Sequence, residues 1–174
     1  EYERRVEEVM DVAKLGLCRG ASGVEALLHR YQLPATVRDQ QGCSILHYIA
    51  SSKDDNKQPL WAADDVIYFL NNYKCLLNAR DYAGCTCLHL LAKAASSSDL
   101  KIIWGKREVG VSDAWVEMAE LLVTQGADPT FVDNKGHLPQ YIAKKMGNIK
   151  LLIYLAEVCN HCENNKVEQK FDDL

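Results

Sequence analysis

The sequence has no long apolar run and no recognisable export signal. No stretch of its 174 residues approaches the roughly 20 consecutive apolar residues that a membrane-spanning helix needs. The opening residues, EYERRVEEVM, are charged and contain no apolar signal-peptide core. We therefore expect no membrane contact. Since an initiator methionine is also missing, we expect the chain to be a domain excised from a longer protein.

A strong excess of one charge is also lacking. The formal net charge is −4 at pH 7, and 25% of the residues are charged while 48% are hydrophobic. This composition is typical of an ordinary globular domain, and its overall field does not attract nucleic acid or an anionic membrane. The one dense basic stretch is KIIWGKR, residues 101–107. Its tryptophan can stack on a single strand, so nucleic-acid binding through this segment stays a weaker alternative.

Motifs specific to catalysis are missing as well. The sequence has no phosphate-binding glycine loop, no HExxH and no paired-carboxylate motif. Cys85 and His89 lie four residues apart, as a nucleophile and its base can, but no third residue at a readable spacing would orient the histidine. We expect no enzymatic activity, no cofactor and no small-molecule substrate.

The seven cysteines are an odd number and are spread unevenly, at positions 18, 43, 75, 85, 87, 159 and 162. Cys159, His161 and Cys162 offer zinc ligands, but structural zinc would need a second ligand pair brought close by the fold. We expect no metal. We interpret the cysteines as reduced thiols, which indicates a cytosolic or nuclear protein.

A pattern of turn and helix recurs three times along the chain. DQQGCSILHYIA begins at Asp39, DYAGCTCLHLLA at Asp81 and DNKGHLPQYIAK at Asp133. Each is followed by a segment with apolar residues at i, i+3 and i+4, the spacing of a helix with one buried face. The expected buried positions in these segments are Val66, Ile67, Phe69, Leu70, Met118, Ala119, Leu121, Leu122, Ile149, Leu151, Leu152 and Leu155. The alternation indicates an internal repeat.

The turn motifs GCSILH and GCTCLH resemble the ankyrin-repeat pattern, as does ELLVTQGADPTFVDNKGHLPQYIAKKMGNIKLLIYLAE from Glu120 to Glu157. The resemblance covers about residues 20–158. It implies an all-α ankyrin-repeat solenoid of about four helix-turn-helix units with hairpin-like connecting loops. The three anchor aspartates are 42 and then 52 residues apart, whereas an ankyrin unit has about 33 residues.

We place the excess residues in two insertions, 51–63 and 94–112. The second insertion contains an apolar cluster at residues 100–104. This cluster either folds back on the solenoid or faces a partner. Long loops inside repeats lie on one face and often carry binding function.

We predict a single ankyrin-like repeat domain over residues 1–163. The boundaries of its units are about 1–38, 39–80, 81–132 and 133–160. The first and last units are expected to be caps with polar outer faces, the first one with an amphipathic helix, a turn around residues 20–23 and a second helix over residues 24–31. Residues 164–174 are polar and lose the period, so we expect a disordered tail there.

The resemblance also implies roles for individual residues. His47 and His89 fill the position of the turn histidine, which implies hydrogen bonds that tie one loop backbone to the next. Partners of ankyrin repeats bind the hairpin tips, here residues 38–41, 80–83 and 132–135, and the inner helices. Aromatic and cationic side chains are the usual interface anchors. The candidate partner-binding residues are Gln40, Gln41, Tyr48, Tyr82, Lys93, Ile103, Trp104, Arg107, Asn134, Lys135 and Lys144.

These observations favour a non-catalytic domain that binds a specific protein partner, as an inhibitor or an adaptor. The principal alternative is a targeting or assembly module of a longer regulatory protein. A flanking enzymatic or DNA-binding domain would indicate the second interpretation.

Overall fold

The computed structural model describes residues 1–16, 21–73, 76–95 and 113–172, with side chains described as far as Cys162. Apart from one isolated bridge between Lys53 and Pro59, the regular structure in these ranges is helical. The prediction of an all-α fold is confirmed. The helices of the described ranges are α1 (Tyr2–Leu15), α2 (Ala21–Tyr31), α3 (Ile45–Ser51), α4 (Ala63–Tyr73), α5 (Cys87–Ala94), α6 (Ala114–Thr124), α7 (Pro139–Lys145) and α8 (Ile149–Asp172).

These helices pack in two rows. α1, α3, α5 and α7 contact one another in succession and form the odd row, while α2, α4, α6 and α8 form the even row. Contacts of α1 with α2, of α5 with α6 and of α7 with α8 join the rows. One cluster of buried apolar side chains includes residues from both rows. In the part of the chain that the structure describes, no helix has both the length and the apolar character that crossing a bilayer requires.

Most of the predicted apolar positions of the even row are buried. Phe69 of α4, Leu122 of α6 and Leu155 of α8 are at most 1% exposed. Ile67, Leu121 and Leu152 are partly buried. Ile149 is 55% exposed, although the sequence pattern places it in the buried stripe. It precedes the fully buried Leu151 by two residues, which puts it about 200° away around the helix.

Two helix boundaries differ from the sequence-based expectation. α2 begins at Ala21 rather than at Val24 and so includes Gly23. Both Ala21 and Val24 are buried, and this burial outweighs the ~0.5–1 kcal/mol that glycine costs in a helix. The backbone of α8 continues to Asp172, across residues where we expect a disordered tail. Residues 160–172 contain neither glycine nor proline, so no residue there breaks the helix.

The first insertion, residues 51–63, packs against the rest of the fold. Trp61 is buried, and its indole N–H donates a hydrogen bond of 2.8 Å to the carbonyl oxygen of Ala13. That oxygen is one of the last four carbonyls of α1, which have no partner within the helix. The indole N–H of Trp115 donates to the carbonyl oxygen of Lys57 at 2.9 Å. Hydrogen bonds thus join the insertion to α1 and to α6.

Candidate functional site

Each of the three turn motifs forms a hairpin organised by its anchor aspartate. In the first hairpin, Oδ1 of Asp39 accepts hydrogen bonds from the backbone N–H groups of Gln41 at 2.9 Å and Cys43 at 2.8 Å. The aspartates of the other hairpins, Asp81 and Asp133, accept equivalent backbone bonds at 2.7 and 2.8 Å. A carboxylate therefore closes each turn, in the manner that favours aspartate at such positions.

A glycine in the left-handed region follows each aspartate after three residues. The φ angles of Gly42, Gly84 and Gly136 are 78°, 79° and 80°, a region that other residues adopt only with strain. A Cβ atom at Gly42 would also lie 2.6 Å from the ring of Tyr82, and one at Gly84 would lie 2.8 Å from the backbone nitrogen of Asn134. Glycine is therefore required in these two hairpins both for the turn and for the close approach of the next hairpin.

Neighbouring hairpins are joined through their backbones. The N–H of Tyr82 donates to the carbonyl oxygen of Gln41 at 3.0 Å, and the N–H of Asn134 donates to that of Ala83 at 2.9 Å. The guanidinium of Arg38 donates to carbonyl oxygens of its own hairpin and of the next. The arginine of the second hairpin does the same. The three tips consequently form a continuous stack.

Two buried histidines connect the odd-row helices to the next hairpin. Nδ1 of His47 accepts the N–H of Ser44 at 3.1 Å, so the ring proton is on Nε2. This nitrogen lies 3.0 Å from the carbonyl oxygen of Cys85 and donates to it. His89 repeats the arrangement one unit later, with its Nε2 3.0 Å from the carbonyl oxygen of His137. The structure thus shows the loop-to-loop bonds that the family resemblance implies for these histidines.

The third hairpin breaks this pattern. Tyr141 of α7 stands where α3 and α5 have their histidines, and it is 47% exposed. Its ring stacks on that of His137 with 4.4 Å between centroids. Leu138, at the N-cap of α7, has no hydroxyl to replace that of Ser44. The face that the next hairpin covers in α3 and α5 is therefore open in α7.

Acidification is expected to destabilise the fold through the two buried histidines. Burial lowers the pKa of His47 and of His89 below the ordinary value of 6.5. The folded state therefore binds protons less tightly than the unfolded state, so the stabilisation is complete above pH 6.5 and is lost as the pH falls through the folded-state pKa. Each histidine can contribute a slope of up to about 1.4 kcal/mol per pH unit to the free energy of unfolding.

Urea denaturation at about pH 7 and about pH 5 measures this effect. We expect the free energy of unfolding to be lower at the acidic pH in the wild type. The difference between the two pH values should shrink in the variant His89→Gln, which cannot titrate at this position. A wild-type stability that rises on acidification, or a pH dependence that His89→Gln leaves unchanged, would contradict the assignment.

Cys85 and His89 do not form an activated nucleophile and base. Both ring nitrogens of His89 are engaged, one by the backbone N–H of Thr86 and the other by a carbonyl oxygen. Burial raises the pKa of the Cys85 thiol to about 11 and that of Cys43 to about 12. Since the thiolate is the reactive form, these cysteines are protonated and unreactive near neutral pH. Within the described ranges, no three His, Cys, Asp or Glu side chains are grouped as a metal site requires.

The predicted tip residues lie at the surface. Gln40, Gln41, Asn134 and Lys135 are exposed, and Tyr82 is 73% exposed although one face of its ring covers Gly42. The hairpin stack brings the second and third tips together, since the side-chain amide of Asn134 donates to the carbonyl oxygen of Tyr82 at 2.8 Å.

The first tip forms part of a cavity that sequence reasoning missed. A cavity of about 420 Å³ lies between α1 and the first hairpin; we call it the α1 groove. Its lining includes three predicted residues, Gln40, Gln41 and Tyr48. The hydroxyl of Tyr48 donates to Oδ2 of Asp39. The other lining residues are Tyr2, Glu3, Val6, Glu7, Met10, Asp11, Lys14, Arg38 and Asp39.

The α1 contribution was missed because charged residues at the start of a chain are usually a solvated cap. The available signal was the spacing of Glu3, Glu7 and Asp11, which are successive i, i+4 positions and therefore share one helix face. This face turns towards the first hairpin instead of away from the fold.

The structure does not bring the predicted lysines into the α1 groove. Lys93 is exposed on α5, and Lys144 is exposed on α7. Lys144 occupies the register position of Ala50 and Ala92, both of which are buried; it therefore lies on the open face of α7. Ile103, Trp104 and Arg107, with most of the second insertion, lie outside the described residues.

Comparison of the chain with models of protein families finds no match, and comparison with curated protein sequences finds none either.

Proposed function

We propose that this chain is an ankyrin-like repeat domain that binds a protein partner, without catalysis, through its hairpin tips and the exposed face of the odd row. The proposed units pair α1 with α2, α3 with α4, α5 with α6 and α7 with α8. The observation that carries the proposal is a stack of three hairpins with the same internal bonds but different exposed side chains. Constant architecture with variable tips is what a surface that recognises one partner needs.

The bonding within the stack supports a role in binding because it fixes the surface before a partner arrives. Backbone hydrogen bonds link each tip to the next, and His47 and His89 anchor the hairpins from the core. A surface that is already ordered loses little conformational entropy on association, so more of the contact energy contributes to affinity.

The chemistry of the tips supports the same role. The first tip offers the amides of Gln40 and Gln41, the second the exposed ring of Tyr82, and the third Asn134 and Lys135. Tyrosine combines a large apolar area with a polar hydroxyl group and is enriched at interfaces. We expect Tyr82, at the centre of the stack, to contribute most to affinity.

Within this function, the domain acts as an inhibitor or an adaptor, or as a targeting or assembly module of a longer regulatory protein. The cysteines of the described ranges are free thiols. Free thiols support a reducing compartment, the cytosol or the nucleus.

The test is affinity capture from cell extract with three immobilised forms of the domain. The tip variant carries Tyr82→Ala with Lys135→Ala. The matched control carries Tyr68→Ala with Lys150→Ala, which removes one exposed tyrosine and one lysine from the even row. We expect the wild type and the control to retain one discrete protein. The Kd of the tip variant for that protein, measured after its purification, should be at least about tenfold higher than that of the wild type, as for the loss of an interface hot spot.

Circular dichroism and a thermal melt establish that each variant is folded. A partner that the folded tip variant retains and the control loses would place binding on the even row and contradict the proposal.

A further inference from the structure

The lining of the α1 groove includes apolar and aromatic side chains. Its lining includes Val6 and Met10 of α1, which are 4% and 3% exposed. The rings of Tyr2 and Tyr48 line it from α1 and α3. A volume of about 420 Å³ lies within the range of ~300–1,000 Å³ that is usual for pockets that enclose a ligand group.

The charge of the groove is negative. Its lining contains four carboxylates and two basic groups. One acid and one base are already committed to the first hairpin, because Asp39 accepts bonds from Gln41, Cys43 and Tyr48 and Arg38 donates to two carbonyl oxygens. Three exposed carboxylates on one face of α1 then remain against the single ammonium of Lys14 in this lining.

We propose that the α1 groove binds an arginine side chain within a basic segment of the protein partner. This inference rests on the proposed function, since it names the chemistry of the partner at one end of the binding surface. The charge complementarity decides the class of occupant, because phosphate-bearing ligands would be repelled by the carboxylates of Glu3, Glu7 and Asp11.

Arginine fits the groove better than lysine does. Its planar guanidinium stacks on tyrosine rings and forms paired hydrogen bonds with carboxylates, whereas the ammonium of lysine is a compact and strongly hydrated charge. Glu3 and Glu7 are one helical turn apart, so their Cβ atoms are about 5–6 Å from each other. That spacing allows both carboxylates to reach one guanidinium.

The experiment is the selection of displayed random peptides, about a dozen residues long, on three forms of the domain. The groove variant carries Glu3→Gln, Glu7→Gln and Asp11→Asn. The matched control carries Glu117→Gln, Glu120→Gln and Glu157→Gln, which removes the same charge from exposed positions of the even row. We expect arginine to be enriched at a fixed position on the wild type and on the control but not on the groove variant.

Calorimetry with one selected peptide then distinguishes arginine recognition from general attraction to an acidic protein. Replacing the fixed arginine of the peptide by lysine should weaken binding about tenfold, and so should the groove variant. Equal affinity of the arginine and lysine peptides, or equal loss of affinity in the groove variant and the control, would overturn the inference.

Two further outcomes separate this inference from the proposed function. Peptides without arginine that bind the groove variant but not Tyr82→Ala with Lys135→Ala would support binding at the tips and overturn arginine recognition. A selection that yields no binder to the wild type would overturn arginine recognition as well, and affinity capture from extract would still decide the proposed function by itself.

Discussion

The variant His89→Ala is expected to lower the free energy of unfolding by about 3 kcal/mol, because it removes hydrogen bonds from buried polar groups and leaves a cavity. The imidazole bonds to the backbone N–H of Thr86 and to the carbonyl oxygen of His137. Alanine leaves the N–H of Thr86 without a partner at a site that is 1% exposed, while the carbonyl oxygen of His137 keeps only the bond from the N–H of Asp133. The substitution also removes a hydrogen bond between α5 and the third hairpin, so the effect should spread beyond α5 itself.

Urea denaturation of His89→Ala beside Tyr141→Ala measures this effect. Tyr141 occupies the same register position in α7 but is exposed, and no further hairpin follows α7 in the described residues. Its replacement should change the free energy of unfolding by less than about 1 kcal/mol. Equal losses in the two variants would show that the histidine does not hold the hairpins together.

The variant Trp61→Ala is expected to lower the free energy of unfolding by about 3–5 kcal/mol, as the truncation of a buried tryptophan does. The indole of Trp61 lies in the core, and its N–H donates a hydrogen bond to the carbonyl oxygen of Ala13 in α1. A free loop would tolerate the same substitution with a change of less than about 0.5 kcal/mol. The size of the effect therefore measures whether the first insertion belongs to the packed fold.

The variant Trp61→Phe separates packing from hydrogen bonding at this site. It keeps most of the buried aromatic surface but cannot donate to Ala13, so we expect a smaller loss of about 1–2 kcal/mol. The difference between the two substitutions is read from their urea midpoints, provided that the slopes agree. If both variants were as stable as the wild type, the contact of the insertion with α1 would be excluded.

The sequence predicts the parts of this fold that repeat. The anchor aspartates, the turn glycines and the two buried histidines recur in the same order, so the hairpin geometry can be read from one unit and transferred to the next. The buried stripes of α4 and α6 follow from their 3.6-residue spacing. Ile149 was misplaced because one apolar residue at the beginning of a helix does not reveal which face the helix buries.

The features that do not repeat were harder to predict. The packing of Trp61 against α1 joins residues 48 positions apart, and no local pattern contains that contact. The α1 groove depends on how α1 lies beside the first hairpin. Glu3, Glu7 and Asp11 share a face by spacing alone, but only the packed structure shows that this face borders a cavity. The position of Lys144 depends on which side of α7 stays open, which periodicity cannot determine.

Hydrogen exchange of the domain with and without its captured partner measures whether the hairpin stack is the binding surface. We expect slower exchange in the complex for the backbone amides of the tips, residues 38–42, 80–84 and 132–136, and of α1, with no change in α2, α4 and α6. Protection confined to the even row, with the tips exchanging at their free rate, would contradict binding through the hairpin stack.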